Sequence, residues 1–465
     1  MFHQINYTKF SINKFNQIIF ALIIFLGSIF NGSNSILLIK LNFLVCITFL
    51  IFLLFKKNNL KYFKYKIKKN KYLLSFFLLF ILFLTLQIIP IPNKILKIIS
   101  IHSYEFYSAI SLSEYNRISL NINLSISEIL NYLNIFLIVV LTDLLFFKKK
   151  HINRYLLYFA IIGFFHAFFG VLIFLLGNPD FFLEKVVHYK DSASGFFVNR
   201  TNFAFFLILT FLISINYILV NNSREILSST NFKKNYVRIF IIFITIGIIC
   251  SFSRLGNFYL VMIILYFVFY SFIKSKKKIN SLTLFFLIIL LFDIFIMGIF
   301  FGGDKLFDRF NFFNESLPKI SSNFVNESLD SVTQNQLSRY SLIILGIEYF
   351  KNFIFFGYGA GSFETVFFFF YKELNGFYAN HSHADIIELI GELGIIGFLI
   401  VLLIFYKIFQ NCLISIQSQL NSSMILLIPL IFIFFINGFF DFSLNIPSNQ
   451  YLFASLMTFS IKKYL

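Results

Sequence analysis

The sequence predicts an all-α polytopic membrane protein, and three observations carry that reading. The 465-residue chain is 58% hydrophobic and 13% charged, where an ordinary soluble domain has about 45–50% apolar and about 25% charged residues. Its mean hydropathy of +0.82 rules out a soluble globular fold. Apolar runs of the length a helix needs to cross a bilayer, about 20 residues, recur along the chain with basic residues between them. About twelve such spans fit the length.

In order, the spans are read at 16–30, 35–55, 72–92, 129–147, 154–176, 203–220, 237–252, 255–273, 281–302, 386–409, 424–440 and 449–461. The first has no small-residue cleavage site after it and is expected to be an uncleaved anchor. Every second connection is basic. Lys56 to Lys71 holds eight lysines, and Lys148–Arg154, Arg224–Arg238 and Lys274–Lys278 follow, with Lys462 and Lys463 near the end. The positive-inside rule places these connections and both termini in the cytoplasm. Residues 93–128 and 177–202 then form moderate outer loops, and one long periplasmic loop, 303–385, separates spans nine and ten. That loop includes an Asn- and Ser-rich stretch, Asn311 to Asn335, and a helical pattern over Leu337 to Phe350. Its length and apolar faces read as a folded cap.

Composition also excludes some functions. A net charge of +18 is spread between apolar spans as orientation signals, not gathered into a nucleic-acid face. The 73 phenylalanines read as coding bias and carry no functional weight. Cys46, Cys250 and Cys412 are too scattered for a disulfide framework or a metal quartet. No internal repeat of the transporter kind is visible.

The densest polar stretch is Y-A-N-H-S-H-A-D-I-I-E-L-I-G-E-L-G-I-I-G, from Tyr378 to Gly397. A helix starting near Asp385 puts Asp385, Glu388 and Glu392 on one face. Such a face entering a bilayer is costly unless it lines a wet cavity; the plainer reading is a snorkelling helix end capped by Asp385. His381 and His383 stand just before it. Zinc is a third reading, weakened because alternate residues of an extended segment point to opposite sides. Three arginines also fall on the outer side: Arg200 in G-F-F-V-N-R-T-N-F-A, Arg254 in S-F-S-R and Arg339 in the long loop. Singly each is an interfacial anchor. Together, where positive charge is scarce, they read as an anion site, because guanidinium forks match phosphate geometry. G-Y-G-A-G-S-F (Gly357 to Phe363) allows positive φ and close backbone approach to a ligand. F-F-D-F-S-L-N-I-P-S-N (Phe439 to Asn449) brings Asp441 to the last outer turn.

The order of these motifs, over residues 195 to about 455, resembles the O-antigen ligase and polymerase family of bacterial envelope proteins. The first 194 residues, an N-terminal region of about five spans, match only in hydropathy, and 456–465 is a cytoplasmic tail. Ala384 departs from the family, which often has Asn after the second His. The resemblance implies a glycosyltransferase at the periplasmic face of the inner membrane, without metal, nucleotide or other cofactor. Its donor would be a glycan on undecaprenyl diphosphate; its acceptor would be lipid A core, a growing polysaccharide or a protein hydroxyl. On this reading His383, with His381 second, is the base or orients the acceptor. Arg200, Arg254 and Arg339 hold the diphosphate, while Asn199, Asn202, Asp385, Glu388, Glu392 and Asp441 support the site. The rival classes are a transporter or flippase of lipid-linked sugars and a protein O-oligosaccharyltransferase. A flippase would place ionisable groups mid-membrane, where Lys40, Asp143 and Asp293 are the few candidates.

Overall fold

The computed structural model describes residues 14–110, 113–179, 190–221, 229–274, 284–292, 295, 339–370, 379–418 and 424–461. Its helices are α1 (Lys14–Ile29), α2 (Ile36–Leu54), α3 (Lys57–Lys69), α4 (Lys71–Ile88), α5 (Asn93–Ile99), α6 (Ile101–Ile110), α7 (Ile122–Leu145) and α8 (Lys149–Leu175). They continue with α9 (Arg200–Val220), α10 (Ser229–Cys250), α11 (Arg254–Lys274), α12 (Arg339–Asn352), α13 (Phe363–Phe370), α14 (Asp385–Ser418), α15 (Leu427–Phe440) and α16 (Pro447–Ile461). Two-residue strands, Ile91–Pro92 and Tyr115–Asn116, pair antiparallel and close the outer loop.

A helix stands at each expected span; of 281–302 only 284–292 and Phe295 are described, and they are helical. Among the described residues seven helices are long and apolar enough to cross a membrane: α2, α4, α7, α8, α9, α11 and α14. The others at span positions are shorter (α1, α15, α16) or, like α10, enter through a run of basic residues.

Helix α9 is the axle of the bundle. Nine-tenths of it is buried, which a helix apolar all round requires. Glycines on its neighbours let the backbones close on it, as small residues do between membrane helices. A methyl at Gly163 would meet Thr210 at 2.4 Å, one at Gly170 would meet Phe203 at 2.4 Å, and one at Gly247 would meet Leu207 at 2.8 Å.

The bundle has two chemically different ends. At one end Lys66 pairs with Asp143 at 3.0 Å, and Arg154 donates to Gln17. This is the end of the basic connections, and it takes Asp143 out of the middle of the bundle; Lys40 is exposed, and Asp293 lies outside the described residues. At the other end α5, α6, α12 and α13 form a cap with its own core around Phe106, Leu345, Tyr349, Tyr358 and Phe363. The helix read over Leu337–Phe350 is α12, two residues later. Asn311 to Asn335 lies outside the described residues.

Candidate active site

The site is built where α14 begins. The helix starts at Asp385, and the preceding turn carries His381 and His383. Nδ1 of His381 lies 2.8 Å from Oε1 of Glu388, while Oε2 of Glu388 accepts the Ser382 N–H at 2.8 Å. Asn445 donates to the same carboxylate at 3.2 Å. Glu388 is 4% exposed, so three donors meet a carboxylate that has little water. Phe442 fixes both imidazoles: His381 stacks on it with centroids 5.0 Å apart, and His383 meets its ring edge-on at 4.7 Å. His383 sits at φ 61°, a conformation uncommon for a non-glycine residue and concentrated at functional sites.

Burial alone would lower the His381 pKa. The charge and hydrogen bond of Glu388, with the charges of Glu128 and Glu364, together outweigh it, and the imidazole titrates above the usual histidine range.

The structure brings most of the expected supporting residues to this turn. Asp385 accepts from the Asn437 amide at 2.8 Å, and its N–H donates to the Asp441 carbonyl at 3.2 Å. Asp441 accepts in turn from the Ser443 hydroxyl. The amide missing at Ala384 is thus matched by two others, Asn437 on Asp385 and Asn445 on Glu388, both brought by the last outer turn and the helix before it. Glu392 is one helical turn further in and is buried; its side chain takes the Gly361 N–H.

The glycine motif does not do what its pattern suggested. Gly357, Gly359 and Gly361 all have positive φ, but the space beside each is filled by the chain itself. A methyl at Gly357 would lie 2.1 Å from the Glu392 carbonyl oxygen, one at Gly359 2.5 Å from Ser119, and one at Gly361 2.8 Å from Glu128. The reason is a break in α14 at Gly394, φ 63° and ψ −175°. There the N–H groups of Ile395 and Ile396 donate to the carbonyls of Ile354 and Phe355, and the carbonyls of Gly391 and Glu392 accept from Tyr358 and Gly359. Irregular backbone at this depth survives only when protein satisfies it. The glycines permit that close approach, and buried Gln87 completes it by donating to Phe356 and Glu392.

Two participants were not read from the sequence. Glu128, on α7, lies beside Gly361 and feels both His381 and Glu388. Phe442 stands in the turn between α15 and α16. A carboxylate immediately before the predicted span 129–147 was the available signal for Glu128. Nothing in the sequence marked Phe442 among 73 phenylalanines.

The arginines are placed by helix starts. Arg200, Arg254 and Arg339 are the first residues of α9, α11 and α12. Asn199 caps α9, accepting from the Thr201 N–H at 2.9 Å. The first turns of α9 and α11 touch, since a methyl at Gly256 would lie 2.7 Å from Cβ of Ala204. Asn449 ties the first turn of α9 to the turn that carries Phe442, donating to the carbonyls of Asn202 and Ser443. On α12, Gly346 packs against Ile387 and Ser382. A cation at a helix N-terminus opposes the dipole, whereas an anion there is favoured by it.

Residues 239–402 match the O-antigen ligase family model. Over this stretch, about a third of its length, the chain is similar to O-antigen ligases. The matched stretch contains Arg254, Arg339, both histidines, Asp385, Glu388 and Glu392, while Arg200, Glu128 and Asp441 come from outside it. The match supports glycan transfer of the ligase or polymerase type by a multi-pass membrane protein, with lipid-linked glycan and a polysaccharide or lipid acceptor as the general partners. Comparison with curated proteins gives no match.

Proposed function

We propose that the protein transfers a glycan from undecaprenyl diphosphate to an acceptor hydroxyl at the periplasmic face of the bacterial inner membrane. The observation that carries this reading is the His381–Glu388 pair at the end of the bundle opposite the lysines. Glu388 holds Nδ1–H of His381, which leaves Nε2 to take a proton, as in other carboxylate-oriented histidine bases. Its raised affinity for protons makes it a stronger base toward a sugar hydroxyl. The sequence put His383 first; the carboxylate partner favours His381, with His383 orienting the acceptor beside it.

In the proposed reaction the acceptor oxygen attacks the anomeric carbon, and its proton passes to Nε2 of His381. The bond from that carbon to the diphosphate oxygen breaks, and undecaprenyl diphosphate leaves with the electron pair. Direct displacement inverts the anomeric centre. Arg200 and Arg254, at the starts of helices whose first turns touch, would offset the charge on the leaving group, with Arg339 at the start of α12, which packs against α14. No step calls for a metal or cofactor. Asp385, Asp441, Asn199, Asn202 and Glu392 hold the turn and the helix starts in register.

The test is purified protein with undecaprenyl-diphosphate oligosaccharide and, separately, lipid A core, polysaccharide and protein acceptors. A new glycosidic bond formed on any of them, with release of undecaprenyl diphosphate, is the expected result. Transport of intact donor across a proteoliposome with no new bond would establish the flippase reading instead. Sidedness is checked with cysteines at exposed Glu114 and Lys61: in intact spheroplasts an impermeant maleimide is expected to label the first and spare the second.

A further inference from the structure

The first turn of α7 and the short helix α13 line an open groove of about 390 Å³. That volume lies within the about 300–1,000 Å³ range of small-ligand pockets. Its walls carry Asn121, Asn123, Glu364, Thr365 and Phe368. We propose that this groove binds a sugar of the acceptor glycan, presenting its hydroxyl to His381; the assignment of that sugar as acceptor rests on the transfer reading above.

Three properties point to a saccharide. First, the named polar groups are two amides, a hydroxyl and one carboxylate, a set that donates to and accepts from neutral hydroxyls and would repel a diphosphate. Second, Phe368 is 45% exposed and stands one helical turn after Glu364, so one face of α13 offers a hydrogen-bonding group and an apolar platform together. The C–H face of a pyranose lies on such a ring while its hydroxyls reach the polar neighbours. Third, the wall is pre-set. Oδ1 of Asn121 accepts the Leu124 N–H at 3.2 Å, capping α7, and its Nδ2 donates to Oγ1 of Thr365 at 3.1 Å. Fixed polar groups reduce the ordering cost of binding.

The groove also leads to the proposed base. Glu364 lies within electrostatic reach of His381. Leu124, in the groove wall, is one helical turn above Glu128, and both flank Gly361. A sugar seated against Asn121, Leu124 and Phe368 therefore lies along the same face of α7 as Glu128 and the carboxylate and histidine cluster.

The test uses the full chain in nanodiscs and, as probe, the oligosaccharide released from the lipid donor by mild acid. Saturation-transfer NMR with no donor present measures binding alone. Phe368→Ala and Asn123→Ala are each expected to weaken binding about tenfold, the loss of about one good contact. In turnover they should raise the acceptor KM by a similar factor and leave the donor KM within about twofold. Equal binding by native protein and both variants, or no binding by native protein, overturns the groove. So does a rise confined to the donor KM. Binding that needs Phe368 and Asn123 in a protein that transfers nothing supports the groove and refutes the transfer reading, so the two fail separately.

Discussion

The two ends of the bundle hold charge in opposite ways. At the lysine end the ion pair Lys66–Asp143 keeps side-chain exposures of 24% and 20%, and most of the lysines of α3 face solvent. At the other end Glu388, Glu392 and Asp441 are 4%, 7% and 1% exposed, and partners are brought to them from three separate parts of the chain. Solvated charge is cheap and serves orientation; buried charge is costly unless paired and hydrogen-bonded. Among the described residues the buried carboxylates gather at that one end, which is where the proposed chemistry is placed.

The largest effect expected is at the histidine turn. His381→Ala should lower transfer by about 10²–10⁴-fold with the donor KM little changed, as single-turnover assays would show. If His383→Ala has that effect and His381→Ala does not, the base is two residues downstream. EDTA should leave the native rate unaltered; loss on chelation restored by zinc or manganese would break the metal-free mechanism.

Next come the helix starts. Arg200→Ala and Arg254→Ala should each weaken use of the lipid diphosphate by roughly 10- to 150-fold, the worth of a charge-assisted contact, and lysine should restore part of it. Full activity in both, with normal expression, would move the diphosphate elsewhere.

Gly357→Ala tests whether the glycine motif binds the chain rather than a ligand. Its methyl must displace the Glu392 carbonyl at a positive φ, costing about 1–3 kcal/mol. The melting temperature should fall. A variant with native stability and poor donor binding would return the motif to a ligand.

The pH profile sharpens the contrast further. His381 is raised by Glu388, and by Glu128 and Glu364, so a base at this position loses activity as pH falls through its raised pKa. Glu128→Gln removes one negative charge, which lowers that pKa, and the acid limb of kcat/KM should move to lower pH. The stabilising contact with Glu388 has the opposite sense: it is complete below the unfolded histidine pKa and fades as pH rises through the folded one. An unshifted limb would detach Glu128 from the base. Least affected should be the lysine end, where Lys66→Ala costs about 0–1 kcal/mol and leaves transfer unchanged.

Much of this was legible beforehand. Apolar runs placed the helices because lipid and buried protein both demand long apolar segments, and α12 and the start of α14 followed from side-chain periodicity. The twelve spans were less secure, because a threshold on apolar runs does not see how short α15 and α16 would be. The motif order located the histidines, the carboxylate face and the arginines, since short-range spacing along a helix is fixed by its geometry.

What the tertiary structure alone decided is who meets whom. Glu128 joins His381 from more than two hundred residues away, and Phe442 receives both imidazoles. The three glycines serve a helix broken at Gly394, whose exposed peptide groups had to find partners inside the protein. Hydropathy and periodicity describe each segment against an average environment of lipid or core. They hold no information on which segments lie side by side, and a buried carboxylate acquires its partner, and its proton affinity, only from that neighbour.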